Sequence, residues 1–245
     1  MYEDEENKSS FWTCFTIIVG IATVSAAIFA GLTYFDIKPS SRNSTVSEDN
    51  VLVEKEDADD TSFVDLGLSV KWHKCNLGAS HPYESGDYYA WGEIEPQPNH
   101  FYDTKHYKWY KGSDTILSKY CEVDNKLILD YEDDPARRFG WRTPTVKEIN
   151  ELLSRCKWKW VKHKSVYGYK VTGPNGNSIF LPASGSWVNG KMTHLGEGAW
   201  YWSNECAKAY HYLWAYGFYF HENYVSHGAS HWSKMFGCSI RPVCP

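Results

Sequence analysis

Tyr210-His211-Tyr212-Leu213-Trp214-Ala215-Tyr216-Gly217-Phe218-Tyr219-Phe220 places a ring at every second position over eleven residues. A repeat of two is the signature of a strand, and it sends Tyr210, Tyr212, Trp214, Tyr216, Phe218 and Phe220 to one face. Rings gathered on one side need a core beneath them. Half or more of the fourteen aromatics between Trp187 and Phe236 should therefore be core, above all Tyr212, Trp214, Tyr216 and Phe218.

Outward from that stretch the strand signals continue. Trp200-Tyr201-Trp202-Ser203 precedes it, and Ser239-Ile240-Arg241-Pro242-Val243 closes the chain. Gly168–Thr172 and Ser178–Pro182 flank the turn-rich Gly173-Pro174-Asn175-Gly176-Asn177 and predict a hairpin. Val64, Leu66, Leu68 and Val70 alternate at the start of the globular part, and Tyr88–Gly92 forms a second short extended piece. Residues 95–125 lack periodicity and predict a long surface excursion. Asp134-Pro135 marks one helix start, where the aspartate caps and proline loses no hydrogen bond. Thr145-Val146-Lys147-Glu148 marks another, with capping-box spacing ahead of Ile149, Leu152, Leu153 and Cys156 on one face. Helices among many short strands predict an α+β domain.

The N-terminal quarter has a different composition. Residues 1–10 form an acidic tail, with Glu3, Asp4, Glu5 and Glu6 against Lys8. Residues 11–35 carry no charge, begin near Trp12 and end near Tyr34, and are long enough to predict one transmembrane helix. A cleaved signal peptide would need a basic start and a shorter apolar run. Ala22, Ala26 and Ala30 recur at a spacing that would permit self-association through the span. Residues 36–62 form an acidic disordered linker. Those two acidic segments hold net charges of −3 and −5 of the total −5, which leaves residues 63–245 at about +3. A field so weak gives no reason to expect nucleic acid as a partner.

Lys38 and Arg42 after the span favour a cytoplasmic domain. Cys75, Cys121, Cys156, Cys206, Cys238 and Cys244 favour the other side, because an even set of cysteines suits disulfides in an oxidising compartment. The expectation is a single-pass membrane protein with an extracytoplasmic domain at the cell surface or in the periplasm. Fifteen pairings of the six are open, Cys75 with Cys244 among them.

Three groups of residues resemble the Fibrobacter succinogenes major paralogous domain, found on surface proteins of Bacteroidota. They are Val64–Trp72 with Gly86–Glu93, then Glu132–Arg137 with Trp141–Thr145, and finally Asn177–Ala183, Tyr201–Ser203 and Ser239–Val243. The resemblance runs through residues 63–245. His73-Lys74 and Asn204 depart from the family pattern. Arg142-Thr143-Pro144-Thr145 and Ile240-Arg241 also look like their counterparts in formylglycine-generating enzymes. The resemblance implies a C-type-lectin-like fold, with a helix pair on short, looped antiparallel sheets and adjacent terminal strands.

No catalytic residues emerge. There is no Ser-His-Asp order, phosphate loop or His-Glu-x-x-His, and Glu93 with Glu95 does not make a glycosidase. The calcium tripeptides of lectins are missing, Glu132-Asp133-Asp134 fits a helix start, and His227 and His231 lack a helix to align them, so no metal or cofactor is expected. Recognition is left. Stiff amphipathic rings in segments rich in glycine, serine and asparagine suit a glycan or protein ligand. The candidate ligand-binding residues are Trp187, His194, His221, Tyr224, His227 and Trp232. The expected function is a membrane-anchored binding or adhesion module. The alternatives are a structural cell-surface subunit and a cysteine-dependent enzyme.

Overall fold

The computed structural model describes residues 62–112, 117–208 and 212–244. All lie in the compact unit Glu54–Pro245. The acidic tail, the apolar stretch 11–35 and nearly all of the linker lie outside the described residues.

Among the described residues, twelve strands build three sheets. β1 (Phe63–Val64), β2 (Lys71–His73) and β12 (Val243–Cys244) form the first, with β2 central and antiparallel to both neighbours. β2 therefore separates the first and last strands, which share this sheet without pairing with each other, unlike the adjacent terminal strands expected. β3 (Lys157–His163), β4 (Val166–Thr172) and β5 (Ser178–Pro182) form an antiparallel meander. The hairpin expected across Gly173–Asn177 is the β4–β5 pair. The third sheet runs β10-β9-β8-β6-β7, where β6 is Ser184–Val188, β7 Lys191–Leu195, β8 Gly198–Ala207, β9 Trp214–His221 and β10 Tyr224–Val225. β11 (Ser230–Ser233) also pairs with β9.

The single α-helix among the described residues, α1 (Val146–Arg155), starts where the capping box predicts. Thr145 Oγ1 accepts from the Glu148 amide at 3.2 Å, and Glu148 Oε2 accepts from the Thr145 amide at 2.9 Å. Arg142 forks onto the same carboxylate at 2.7 and 2.5 Å. Burial pushes the Glu148 carboxyl up, but those donors outweigh it and hold it below the usual range.

The β8–β9 pair lies between two cores. Ala199, Tyr201, Phe218 and Phe220 face the core shared with Ile149 and Leu152 of α1 and with Tyr169, Val171, Ile179 and Leu181 of the meander. Trp202, Cys206 and Ala215 face the opposite core, with Tyr89, Trp91, Tyr120, Trp232 and Ile240. A bulge between Trp202 and Cys206 lets β8 serve both. β9 changes its buried side partway. Ala215 and Gly217 are buried at its start, whereas Phe218 and Phe220 are buried at its end, and Trp214 and Tyr216 are half-buried. Of the rings expected as core, Tyr212 and Phe218 are buried.

Four expectations are corrected. The fold is mostly β, at 39% strand and 12% helical with one helix, rather than an α+β lectin-like domain with a helix pair behind a transmembrane helix. The second helix of the pair reduces to a 3-10 turn, Pro135–Phe139, capped by Asp134 and stopped by Gly140 in the left-handed region. The single-pass membrane placement is unsupported as well. No helix among the described residues is long and apolar enough to cross a membrane, and α1 at ten residues spans about 15 Å, half a hydrocarbon core. The membrane contact at 11–35, with self-association through it, lies outside the described residues.

The disulfide expectation fails too, since Cys75, Cys121, Cys156, Cys206, Cys238 and Cys244 are all thiols. Four are buried as small apolar groups, and Cys238 Sγ accepts from the Trp232 indole at 3.3 Å. Most of the described residues between 95 and 125 are exposed, but a few side chains anchor the segment. Tyr102, Tyr107, Leu117 and Cys121 form a third core with Tyr88, Ala90 and Met235. The Tyr107 hydroxyl donates to Trp91 O at 2.8 Å, and that of Tyr102 donates to Tyr88 O.

Candidate functional site

Towards the end of β9, Tyr219 packs half-buried against the edge of the second core, and His221 is half-buried two residues on. Trp200 of β8 lies opposite Tyr219 in register, and their rings stack 5.9 Å apart and 9° from parallel. His221 stands edge-on to Trp200 at 5.1 Å. His221 is opposite Gly198, whose missing side chain makes this arrangement possible. A Cβ there would lie 2.4 Å from Phe220 O and 2.7 Å from His221 Nδ1. His194, at the exposed end of β7, adds a ring 5.3 Å from His221 and 5.2 Å from Trp200.

The β9–β10 turn extends this ladder. Glu222 and Asn223 form the connection, so Tyr224 pairs directly with His221. Its ring lies 5.5 Å from Tyr219 and 5.9 Å from His227. The turn is pinned to the meander, because the Tyr169 hydroxyl lies 3.1 Å from His221 O and 2.9 Å from Glu222 O, donating to this carbonyl pair.

A second pair of rings lines a cleft together with His221 and Tyr224. Trp160 of β3 and Tyr167 of β4 stack 6.0 Å apart and 3° from parallel. The cleft is open, has a volume of about 520 Å³ and is lined by Trp160, Tyr167, Gly196, Glu197, His221, Glu222, Asn223 and Tyr224. The cleft pairs flat rings with two carboxylates and one amide. Burial, and then neighbouring His194, lower the His221 pKa, so at neutral pH its ring presents an uncharged face. His194 Nδ1 lies 3.4 Å from the exposed Glu197 carboxylate.

Four of the six residues singled out from sequence, His194, His221, Tyr224 and His227, come together here. Trp232 does not join them. It is 8% exposed, stacks on Trp202 at 5.1 Å and belongs to the second core. Trp187 is half-buried elsewhere, its ring parallel to His100 at 4.2 Å. Trp160, Tyr167, Trp200 and Tyr219 escaped the sequence reading. For Trp160 the alternation Lys157-Trp158-Lys159-Trp160 was the available signal, since it marks an amphipathic strand.

No family model, curated protein or solved structure matches the chain. Functional assignment therefore rests on the site.

Other clusters offer less. Asp130, Glu132 and Asp133 bring their oxygens within 4.8 Å of one another. Lys119 Nζ lies among them, 2.6 Å from both Asp130 and Asp133, so an ammonium already neutralises the group. Burial raises the thiol pKa of Cys75, Cys206 and Cys238, and that of Cys156 to about 11. At neutral pH such thiols stay protonated, the opposite of what a nucleophile needs.

Proposed function

We propose that the protein is a glycan-binding module whose ligand lies in the cleft between Trp160–Tyr167 and His221–Tyr224. The observation that carries this reading is a cleft lined by the rings of Trp160, Tyr167, His221 and Tyr224 together with Glu197, Glu222 and Asn223. A pyranose ring has apolar C–H faces and a rim of hydroxyls. Flat rings cover the faces, and carboxylate and amide oxygens accept from the rim. An open cleft suits a segment within a polymer, which must enter and leave at both ends. Membership of the Fibrobacter succinogenes major paralogous family belongs to the same proposal and rests on the sequence patches alone.

The test is a screen of the full chain against immobilised plant, algal and bacterial polysaccharides, followed by Tyr224→Ala. Tyr224 is 42% exposed, so its truncation should leave the melting temperature unchanged. Affinity for the polymer retained in the screen should fall about tenfold, as expected for one stacking ring. Equal affinity of the variant, or failure to retain any polymer, would remove this reading.

A further inference from the structure

The meander β3-β4-β5 turns one face to the first core, where Trp158, Trp160, Tyr169, Val171, Ile179 and Leu181 pack. Strand alternation then sends Lys157, Lys159, Val161, His163, Lys170 and Phe180 to the other face. Lys157, Lys159, His163 and Lys170 are exposed there. From Lys157 to Pro182 the chain holds five lysines and neither aspartate nor glutamate, a local charge of +5 on a chain of net −5. Lys159 and Lys170 are cross-strand partners, so two ammonium groups share this outer face at close spacing. Like charges placed so repel, and a bound anion relieves them.

Beside the start of the domain this face becomes an open groove of about 420 Å³. His163, Lys170 and Phe180 line it from the meander, and Val64 and Lys74 line it from the terminal sheet and the loop after β2. No carboxylate is among its lining residues. The chain enters the domain at the rim of this groove. The Lys74 amide donates to Ser62 O at 2.9 Å, and Val64 follows two residues later.

Just ahead of that entry lies Glu54-Lys55-Glu56-Asp57-Ala58-Asp59-Asp60, with five carboxylates against one ammonium. Asp60 is two residues from Ser62 and Glu54 is eight, so at about 3.3 Å for each residue every one of these acids lies within about 26 Å of the entry. So short a tether costs little closure entropy and holds the acids near the groove at an effective concentration on the order of millimolar.

We infer that residues 54–60 dock in this groove of their own chain, with their carboxylates against Lys74 and Lys170. Charge and position both select this occupant, since the most acidic stretch of the linker is delivered covalently to the edge of a basic groove. Docked there, it keeps other anions off the outer face of the meander. The inference does not rest on the aromatic cleft, which takes Trp160 and Tyr167 from the opposite face.

The test treats the full chain with a water-soluble carbodiimide, which joins a carboxylate to an amine in contact with it, and maps the linked peptides by mass spectrometry. The expected result is a link from one of the five acids to Lys74 or Lys170, formed within one chain at every protein concentration. Its yield should fall about fivefold on going from low salt to about 0.5 M. A second measurement uses Glu54→Gln, Glu56→Gln, Asp57→Asn, Asp59→Asn and Asp60→Asn together. A fluorescent polyglutamate peptide added in solution should bind this variant about tenfold more tightly than the parent. Adding Lys74→Gln and Lys170→Gln, both exposed positions, should abolish that gain. Equal affinity of parent and neutralised variant would overturn the inference. So would links from these acids only to lysines outside the groove, or no link at all. Links found only between chains, growing with concentration, would assign the groove to a second copy and overturn it as well. Each of these failures leaves the cleft reading standing, because Tyr224→Ala tests that separately.

Discussion

Arg241→Met should lower the melting temperature by about 10–15 °C. Arg241 is 0% exposed and has no carboxylate partner among the described residues. Its guanidinium instead donates to four acceptors: Asn76 Oδ1 at 3.0 Å, His73 O at 3.0 Å, Lys74 O at 2.5 Å and Phe180 O at 2.8 Å. Those acceptors belong to β2 and the loop after it, and to β5, so one side chain fastens the terminal sheet to the meander. Asn76 is itself held by its amide donating to Ser85 O at 2.8 Å. Methionine fills similar volume but leaves the acceptors dry. At about 1–3 kcal/mol for each stranded group, even partial relaxation leaves a loss of about 4 kcal/mol. For a domain of this size each kcal/mol moves the midpoint about 2–4 °C. Arg241→Lys should be intermediate, since an ammonium cannot reproduce the planar fork. Thermal unfolding followed by circular dichroism is the check, and a midpoint within about 3 °C of the parent would contradict the role assigned.

The second large effect is a dependence of stability on alkaline pH. Lys234 is fully buried, its ammonium donating to Tyr120 O at 3.0 Å and lying 4.7 Å from the Trp91 ring centre. Burial dominates and lowers its pKa from 10.5 to about 8. In the unfolded chain the group keeps its proton up to about 10.5, so between those values the unfolded state binds more protons. The contribution of this residue to stability therefore rises with pH across that window, by on the order of 3 kcal/mol. Tyrosines and thiols titrate nearby, but Lys234→Met shares them. The stability of the parent minus that of Lys234→Met should accordingly increase by about 3 kcal/mol from pH 7.5 to 10.5 in denaturant titrations. A difference that stays flat would show that the ammonium is solvated.

Much of the local architecture was legible in the sequence. The Thr145–Glu148 box named the start of α1, the turn at 173–177 named the β4–β5 hairpin, and the ring repeat named β9. The period of two gives which residues share a face, but not which face has a core along the whole strand. β9 passes from one core to the other, so Trp214 and Tyr216 end half-exposed while Ala215 and Gly217 are buried. Residues 95–125 gave no sign of their few core contacts because these come from turns held by tyrosine hydroxyls rather than from any regular period. The disulfides were inferred from an even count, which carries no geometry. Their cysteines are scattered through the cores and along strand ends.

The site was half legible for a related reason. Polar, glycine-rich surroundings identified His194, His221, Tyr224 and His227. Trp160, Tyr167, Trp200 and Tyr219 sit in strands, where an aromatic reads as core, and three of them are indeed half-buried against the cores while Tyr167 is exposed. Trp232 is the reverse case, since its loop-like neighbourhood in sequence is strand β11, in which Trp232 alone is buried.

The most direct measurement of the central claim is a titration of the full chain, labelled at tryptophan indole nitrogens, with the polysaccharide retained in the screen. Signals of Trp160 and Trp187 are assigned by single substitution to phenylalanine. The cleft account predicts that the Trp160 indole signal moves with saturation while that of Trp187, stacked on His100 away from the cleft, stays in place. Movement of Trp187 with Trp160 unchanged would contradict it.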